Sequence, residues 1–244
     1  MACCPEGALG RLGTKGYVAR GAVERLQDMD LYFVGSGTKC IIWNYDIFGF
    51  DSGRTRETAD LFAEAGYLVI IPDFFRGTWK DPSGPAPELI QFITEKTQWA
   101  NLKQDLENIV LPFARSKGAT VFGALGTCWG TYMVLKESSY PGFRAGVSWH
   151  PSHSLISGLD KEGGERALLS GVSCPQLFMP AQGDHDNTRP GGLGDQLLGA
   201  GLEIVEFKEM KHGWTVRGDM EDPAIYREVK RAITLTLEFL NKHL

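Results

Sequence analysis

Ala119-Thr-Val-Phe-Gly-Ala-Leu-Gly126-Thr127-Cys128-Trp129-Gly130-Thr-Tyr-Met-Val-Leu135 decides the fold of this 244-residue chain. An apolar run ends at Leu125, Gly-Thr-Cys-Trp-Gly follows, and helical spacing resumes almost at once. A strand that turns so abruptly into a helix is the setting of the nucleophile elbow G-x-S-x-G, here with cysteine in the serine position. The central residue of such a turn stands above the sheet in a strained conformation. Glycines flank it because a Cβ there would collide with the neighbouring strand or helix. The same turn leaves Cys128 at a helix N-terminus, where the positive end of the dipole favours a thiolate. The plain alternative is a small buried cysteine in a Gly-rich turn, and what separates the two is whether partners follow in the right order.

Outward from the elbow, short apolar runs alternate with helical patterns. The strands expected are Lys39–Trp43, Tyr67–Ile71, Thr120–Leu125, Ala145–Trp149, Gln176–Pro180 and Glu203–Phe207, several of them apolar on consecutive residues, as in strands covered on both faces. Helices are expected over Arg56–Ala65, closing at Gly66, and over Trp99–Lys117, with Leu102, Leu106, Ile109 and Phe113 on one face and Gly118 at the end. A last helix starts with Asp222 as N-cap and Pro223 at its first position, and carries the stripe Ile225, Val229, Ile233, Leu237, Leu240. A hairpin around Tyr17–Arg20 and Leu31–Val34 precedes the alternation. With no repeat or charge block to divide it, the chain reads as one α/β domain over residues 1–244. Its mostly parallel central sheet is flanked by helices on both faces, and ligands bind at the carboxyl ends of the strands. With the elbow, the fold expected is the α/β-hydrolase fold.

Composition narrows the function classes. Thirty acidic against 25 basic residues give a formal charge of −5, no electrostatic reason to bind nucleic acid or anionic membranes. No stretch approaches the roughly 20 apolar residues of a membrane span. The start, MACCPEGALGRLG, has no apolar signal core. Five scattered cysteines do not form a disulfide framework and fit a reducing, cytoplasmic setting. Cys3 and Cys4 are too few for a metal site. His150 and His153 share an H-x-x-H spacing, but Pro151 and Ser152 between them argue against the helix that would give it force. No metal is expected. His150, which follows the strand ending at Trp149, is instead expected to line a pocket.

After an elbow, an acid and then a histidine should follow, each in a loop after a later strand. The segment Leu177-Phe-Met-Pro-Ala-Gln-Gly-Asp184-His-Asp186 supplies two carboxylates, and His212 stands in the last loop before the final helix. Trp149, Phe48, Phe75, Trp129 and Trp214 read as core aromatics, some of them lining the pocket.

Four segments carry a resemblance to the dienelactone hydrolases, also called carboxymethylenebutenolidases: Tyr45-Asp-Ile-Phe-Gly49, Pro72-Asp-Phe-Phe-Arg-Gly77, Gly126-Thr-Cys-Trp-Gly130 and Lys211-His-Gly-Trp214. The resemblance runs from about Lys39 to Leu244 and is nearest the eukaryotic branch. It implies hydrolysis of a small-molecule lactone or carboxylic ester through a Cys-His-Asp triad and a thioester, with no metal or organic cofactor, in a monomer or homodimer. The family pattern G-x-x-D with proline four residues on selects Asp186 as the acid beside Cys128 and His212. It implies Asp46 as partner of the resting thiol, where bacterial members have glutamate, and the N–H groups of Ile47 and Trp129 as the oxyanion hole. It also implies that Arg76 and Arg217 bind a substrate carboxylate, although neither sits at the bacterial offsets. The alternative from another class is a ligand-binding or sensor protein on a hydrolase scaffold with little turnover.

Overall fold

The computed structural model describes Pro5 and residues 7–10, 16–159 and 162–244; Cys3 and Cys4 lie outside these. The strands are β1 (Ala22–Leu26), β2 (Met29–Val34), β3 (Lys39–Asn44), β4 (Leu68–Pro72), β5 (Val121–Cys128), β6 (Phe143–Pro151), β7 (Gln176–Met179), β8 (Ala181–Gln182), β9 (Leu202–Ile204) and β10 (Phe207–Lys211). The helices up to the elbow are α1 (Thr55–Glu64), α2 (Ala86–Lys96), α3 (Trp99–Asp105) and α4 (Leu111–Ser116), with a π turn over Leu106–Val110 joining the last two. After it come α5 (Gly130–Glu137), α6 (His153–Ser157), α7 (Gly164–Ser170), α8 (Leu193–Leu198), α9 (Trp214–Arg217) and α10 (Pro223–His243). Among the described residues, no helix is long and apolar enough to cross a membrane.

The main sheet runs β1-β2-β4-β3-β5-β6-β7-β9, antiparallel at the β1–β2 and β2–β4 edges and parallel from β4 onward. Helices pack on both faces, which explains why β3, β4 and β5 are buried almost throughout. The fold is the α/β-hydrolase fold. Its order puts β5 at the centre, between β3 and β6, so the loops after these three strands converge on one edge.

Two expected strands move. The first hairpin strand is Ala22–Leu26 rather than Tyr17–Arg20, because Tyr17 donates its hydroxyl to Asp60 of α1 at 2.5 Å instead of pairing. The run Glu203–Phe207 is split between β9, which joins the main sheet, and β10, which pairs with β8 in a separate two-stranded parallel sheet. α10 is capped as expected, the Asp222 carboxylate accepting the Ala224 N–H at 2.8 Å.

Candidate active site

The elbow forms where β5 meets α5. Cys128 has φ +56°, a left-handed conformation that is strained for a residue with a Cβ, by about 1–3 kcal/mol. A Cβ on Gly126 would come within 2.5 Å of the Gly130 carbonyl oxygen, and one on Gly130 within 2.2 Å of the Asn44 carbonyl oxygen. The two glycines therefore let helix, elbow and β3 close on one another. That contact sets Trp129 beside the loop after β3, where the Tyr45 ring lies 5.8 Å from it and Phe75 stacks on it at 4.5 Å.

His212 follows β10 and Asp184 follows β8, and the β8–β10 register pairs Lys211 with Gln182. The adjacent strand ends thus deliver the two side chains to one point: His212 Nδ1 donates to Asp184 Oδ1 at 2.6 Å, with both groups buried. The other Asp184 oxygen accepts the Ala181 N–H at 2.7 Å, which fixes the carboxylate. This corrects the expectation for Asp186. The turn at Gly183 (φ +78°) folds Asp184 back under the loop. Asp186, two residues on, opens a 3-10 turn with its side chain 99% exposed, its nearest cationic atom being Arg189 Nε at 3.9 Å.

Cys128 and His212 are drawn together. Burial works against a charged ring at His212, but the Asp184 carboxylate and then the Cys128 sulfur lift it well above the usual histidine range. His212 Nε2 is buried without an aligned hydrogen bond, as is common before substrate tightens a site. The sulfur is fully buried, yet its surroundings are polar: Ser152 Oγ lies 3.6 Å away, and the charges of Asp46 and His150 are sensitive to it.

Asp46 is also buried. One of its oxygens accepts the Phe48 N–H at 2.9 Å, and the other pairs with Arg217 Nη1. Burial raises its carboxyl above the ordinary range against the pull of Arg217. Arg217 further donates Nε to the Leu9 carbonyl at 2.9 Å and lies 4.6 Å over the Phe48 ring. Its guanidinium rests on Gly213, where a Cβ would come within 2.1 Å of Nη2. Ile47 is buried in the same loop, and its carbonyl accepts the Lys80 N–H at 3.1 Å.

His150 enters the site as a second imidazole, with φ +38° at the end of β6. Its Nε2 shares a 2.7 Å hydrogen bond with Thr215 Oγ1, and its ring packs edge-on against His212 at 4.7 Å. Burial and the positive charges of His212 and Arg217 hold it well below the usual histidine range, so it stays neutral. His153 turns elsewhere, its Nε2 lying 3.4 Å from Glu165, so the H-x-x-H pair does not converge. Arg76 is a second correction. Phe75 turns inward onto Trp129, and Arg76, at φ +54°, swings away to a two-pronged contact with Asp105 (2.8 Å for each bond) and a further bond to Asp28 at 3.1 Å.

Three contributors escape sequence reasoning. Ser152 beside the sulfur and Thr215 beside His150 carry no motif. Arg54 is buried and donates to the carbonyls of Trp214, Thr215 and Gly218, clamping the short helix that follows His212.

Residues 34–244 match the dienelactone hydrolase family. The chain belongs to this family. Among curated relatives, it is 27% identical over 216 residues to the mouse carboxymethylenebutenolidase homolog, covering 84% of this chain and 82% of that one. An AIM2 family protein of Schizosaccharomyces pombe is 27% identical over 248 residues, covering 91% and 90%. Among solved structures, the chain resembles a dienelactone hydrolase from Klebsiella pneumoniae (TM-score 0.70, 21% identity, 93% of this chain and 99% of that one). It also resembles a dienelactone hydrolase-like promiscuous phosphotriesterase from metagenomic libraries (TM-score 0.67, 13% identity, 93% and 98%). The family makes the protein a hydrolase of small molecules.

Proposed function

We propose that the protein hydrolyses a carboxylic ester or lactone through Cys128, His212 and Asp184, by way of a thioester. The observation that carries this reading is the buried 2.6 Å Asp184–His212 pair beside a cysteine held at φ +56° between β5 and α5. His212 takes the Cys128 proton, and the thiolate attacks the carbonyl carbon. When the tetrahedral intermediate collapses, the C–O bond to the leaving alkoxide breaks and His212 returns the proton to that oxygen. A water then gives its proton to His212 and attacks the thioester, the acid departs, and the thiolate is reprotonated. Asp184 holds the imidazole with Nδ1 protonated and stabilises its cation. The N–H groups of Ile47 and Trp129 are assigned to the oxyanion, since the elbow packs directly on the loop that carries Ile47. Asp46, paired with Arg217, senses the sulfur and is assigned as partner of the resting thiol. The chemistry requires no metal or organic cofactor.

Stopped-flow hydrolysis of an activated aryl ester tests this. A burst of phenolate equal to the enzyme concentration, absent from Cys128→Ala, is expected. Reversible binding of the ester with neither burst nor turnover would instead favour a sensor on a hydrolase scaffold.

A further inference from the structure

A stretch of chain that the family match does not reach is bonded to the catalytic loops. The match begins at residue 34, yet Leu9 donates its N–H to the His212 carbonyl at 3.0 Å, and its own carbonyl accepts Arg217 Nε at 2.9 Å. The side chains of Ala8 and Leu9, partly buried, pack on the core. Just before them, Gly7 at φ +79° allows a turn in which the Ala8 N–H donates to the Pro5 carbonyl at 3.1 Å. The turn lays Pro5 against Gly183, where a Cβ would come within 3.0 Å of the proline Cβ. Gly183 immediately precedes Asp184. Pro5 and Leu9 thus bridge the loop of the acid, the main chain of the base, and the arginine that ends α9.

These contacts fall where small displacements matter. Proton transfer from sulfur to imidazole needs near-attack geometry, and a misplacement of about 1 Å costs about a hundredfold in rate. His212 lies in the turn between β10 and Gly213, which has φ +93°, so its main chain has left the strand ladder and the Leu9 N–H fixes its carbonyl instead. Arg217 is held at Nε from the same residue, which leaves its Nη1 turned to Asp46.

We infer that the main chain of Leu9, seated by Pro5 on Gly183, is a positioning element of the active site: it holds His212 in reach of Cys128 and Arg217 in line with Asp46. The inference rests on the hydrolase reading above and goes beyond it, since Leu9 acts through His212 and Arg217 and not on the reacting atoms.

Two substitutions in the full chain test it. Leu9→Pro removes the N–H that the His212 carbonyl accepts, and Pro5→Gly removes the ring that rests on Gly183. Each variant is read by kcat on an activated aryl ester, by the pH dependence of Cys128 alkylation with iodoacetamide, and by its urea midpoint. Leu9→Pro is expected to lower kcat by about tenfold to a hundredfold. Its alkylation should rise at higher pH than in the wild type, because a displaced His212 no longer takes the thiol proton. Pro5→Gly should shift both in the same directions by less, and it decides the matter if Leu9→Pro does not fold. Val18→Ala, at a residue 84% exposed in the same part of the chain, should leave both unchanged. A kcat within about twofold of wild type, or a loss of kcat that follows a lowered urea midpoint while the alkylation profile stays put, would overturn the inference and leave the hydrolase reading intact. A wild type with neither burst nor turnover would overturn the hydrolase reading, and the alkylation profiles would still judge the role of Leu9.

Discussion

Replacing Asp184 with asparagine should disable the protein, whereas Asp186→Asn should not. The Asp184 carboxylate donates nothing and accepts from His212 at 2.6 Å in a fully buried setting. A charge-assisted bond of this kind contributes about 1.5–3 kcal/mol. Asparagine loses that charge and can also present its NH2 group to Nδ1, which places the imidazole proton on Nε2, where it cannot accept from Cys128. Together these predict a fall in kcat of about a hundredfold to ten-thousandfold. Asp186, with its side chain 99% exposed, should change kcat by less than about twofold. The pH profile provides a second readout. Asp184 holds the His212 value up and burial pulls it down, so losing Asp184 lowers it. The thiolate–imidazolium pair is then less favoured, the thiol must give its proton to solvent, and the rise of Cys128 alkylation by iodoacetamide with pH moves to higher pH. Steady-state kinetics and alkylation rates on both variants are the assay. A large loss in Asp186→Asn with Asp184→Asn near wild type would refute the assignment.

Cys128→Gly should be more stable than Cys128→Ala by about 1 kcal/mol in urea unfolding, because glycine relieves the φ of +56° that alanine inherits; equal midpoints would argue that the elbow is unstrained. Arg54→Met should destabilise the fold by about 3 kcal/mol, since it strips a donor from the carbonyls of Trp214, Thr215 and Gly218, and thermal melts read the loss. Glu137 is buried on α5, takes a 2.9 Å bond from Asn44, and is raised well above the ordinary carboxylate range by burial. A folded value above the unfolded one gives stability that is intact below about pH 4.3 and lost as pH rises through the folded value. Glu137→Gln should therefore raise the melting temperature, by an amount that grows from pH 5 to 8; a constant or shrinking difference would count against the buried acid.

The sequence made legible whatever adjacent residues determine. Strand, elbow and helix around Cys128 are contiguous, and Gly126 and Gly130 announce the close contacts that the structure shows at Gly130 and Asn44. His212 was legible from its place in the order of elements. Which carboxylate meets the histidine was not, because Asp184 and Asp186 stand in one loop and the contact depends on the β8–β10 pairing, between segments about 30 residues apart. The family spacing pointed two residues too far. The direction of Arg76 is hidden for a similar reason: the inward stacking of Phe75 on Trp129 sets where the next side chain goes. Arg54 and Thr215 were invisible because a main-chain clamp and a histidine partner leave no pattern along the chain.

Everything turns on acylation at a single sulfur. The direct measurement is intact-mass and peptide mass analysis of the protein quenched in acid within milliseconds of mixing with an excess of activated aryl ester. One acyl group, carried on the peptide containing Cys128 and lost again with the turnover rate, is the predicted result. Turnover with no acyl group on Cys128, or an acyl group carried by another residue, would contradict it.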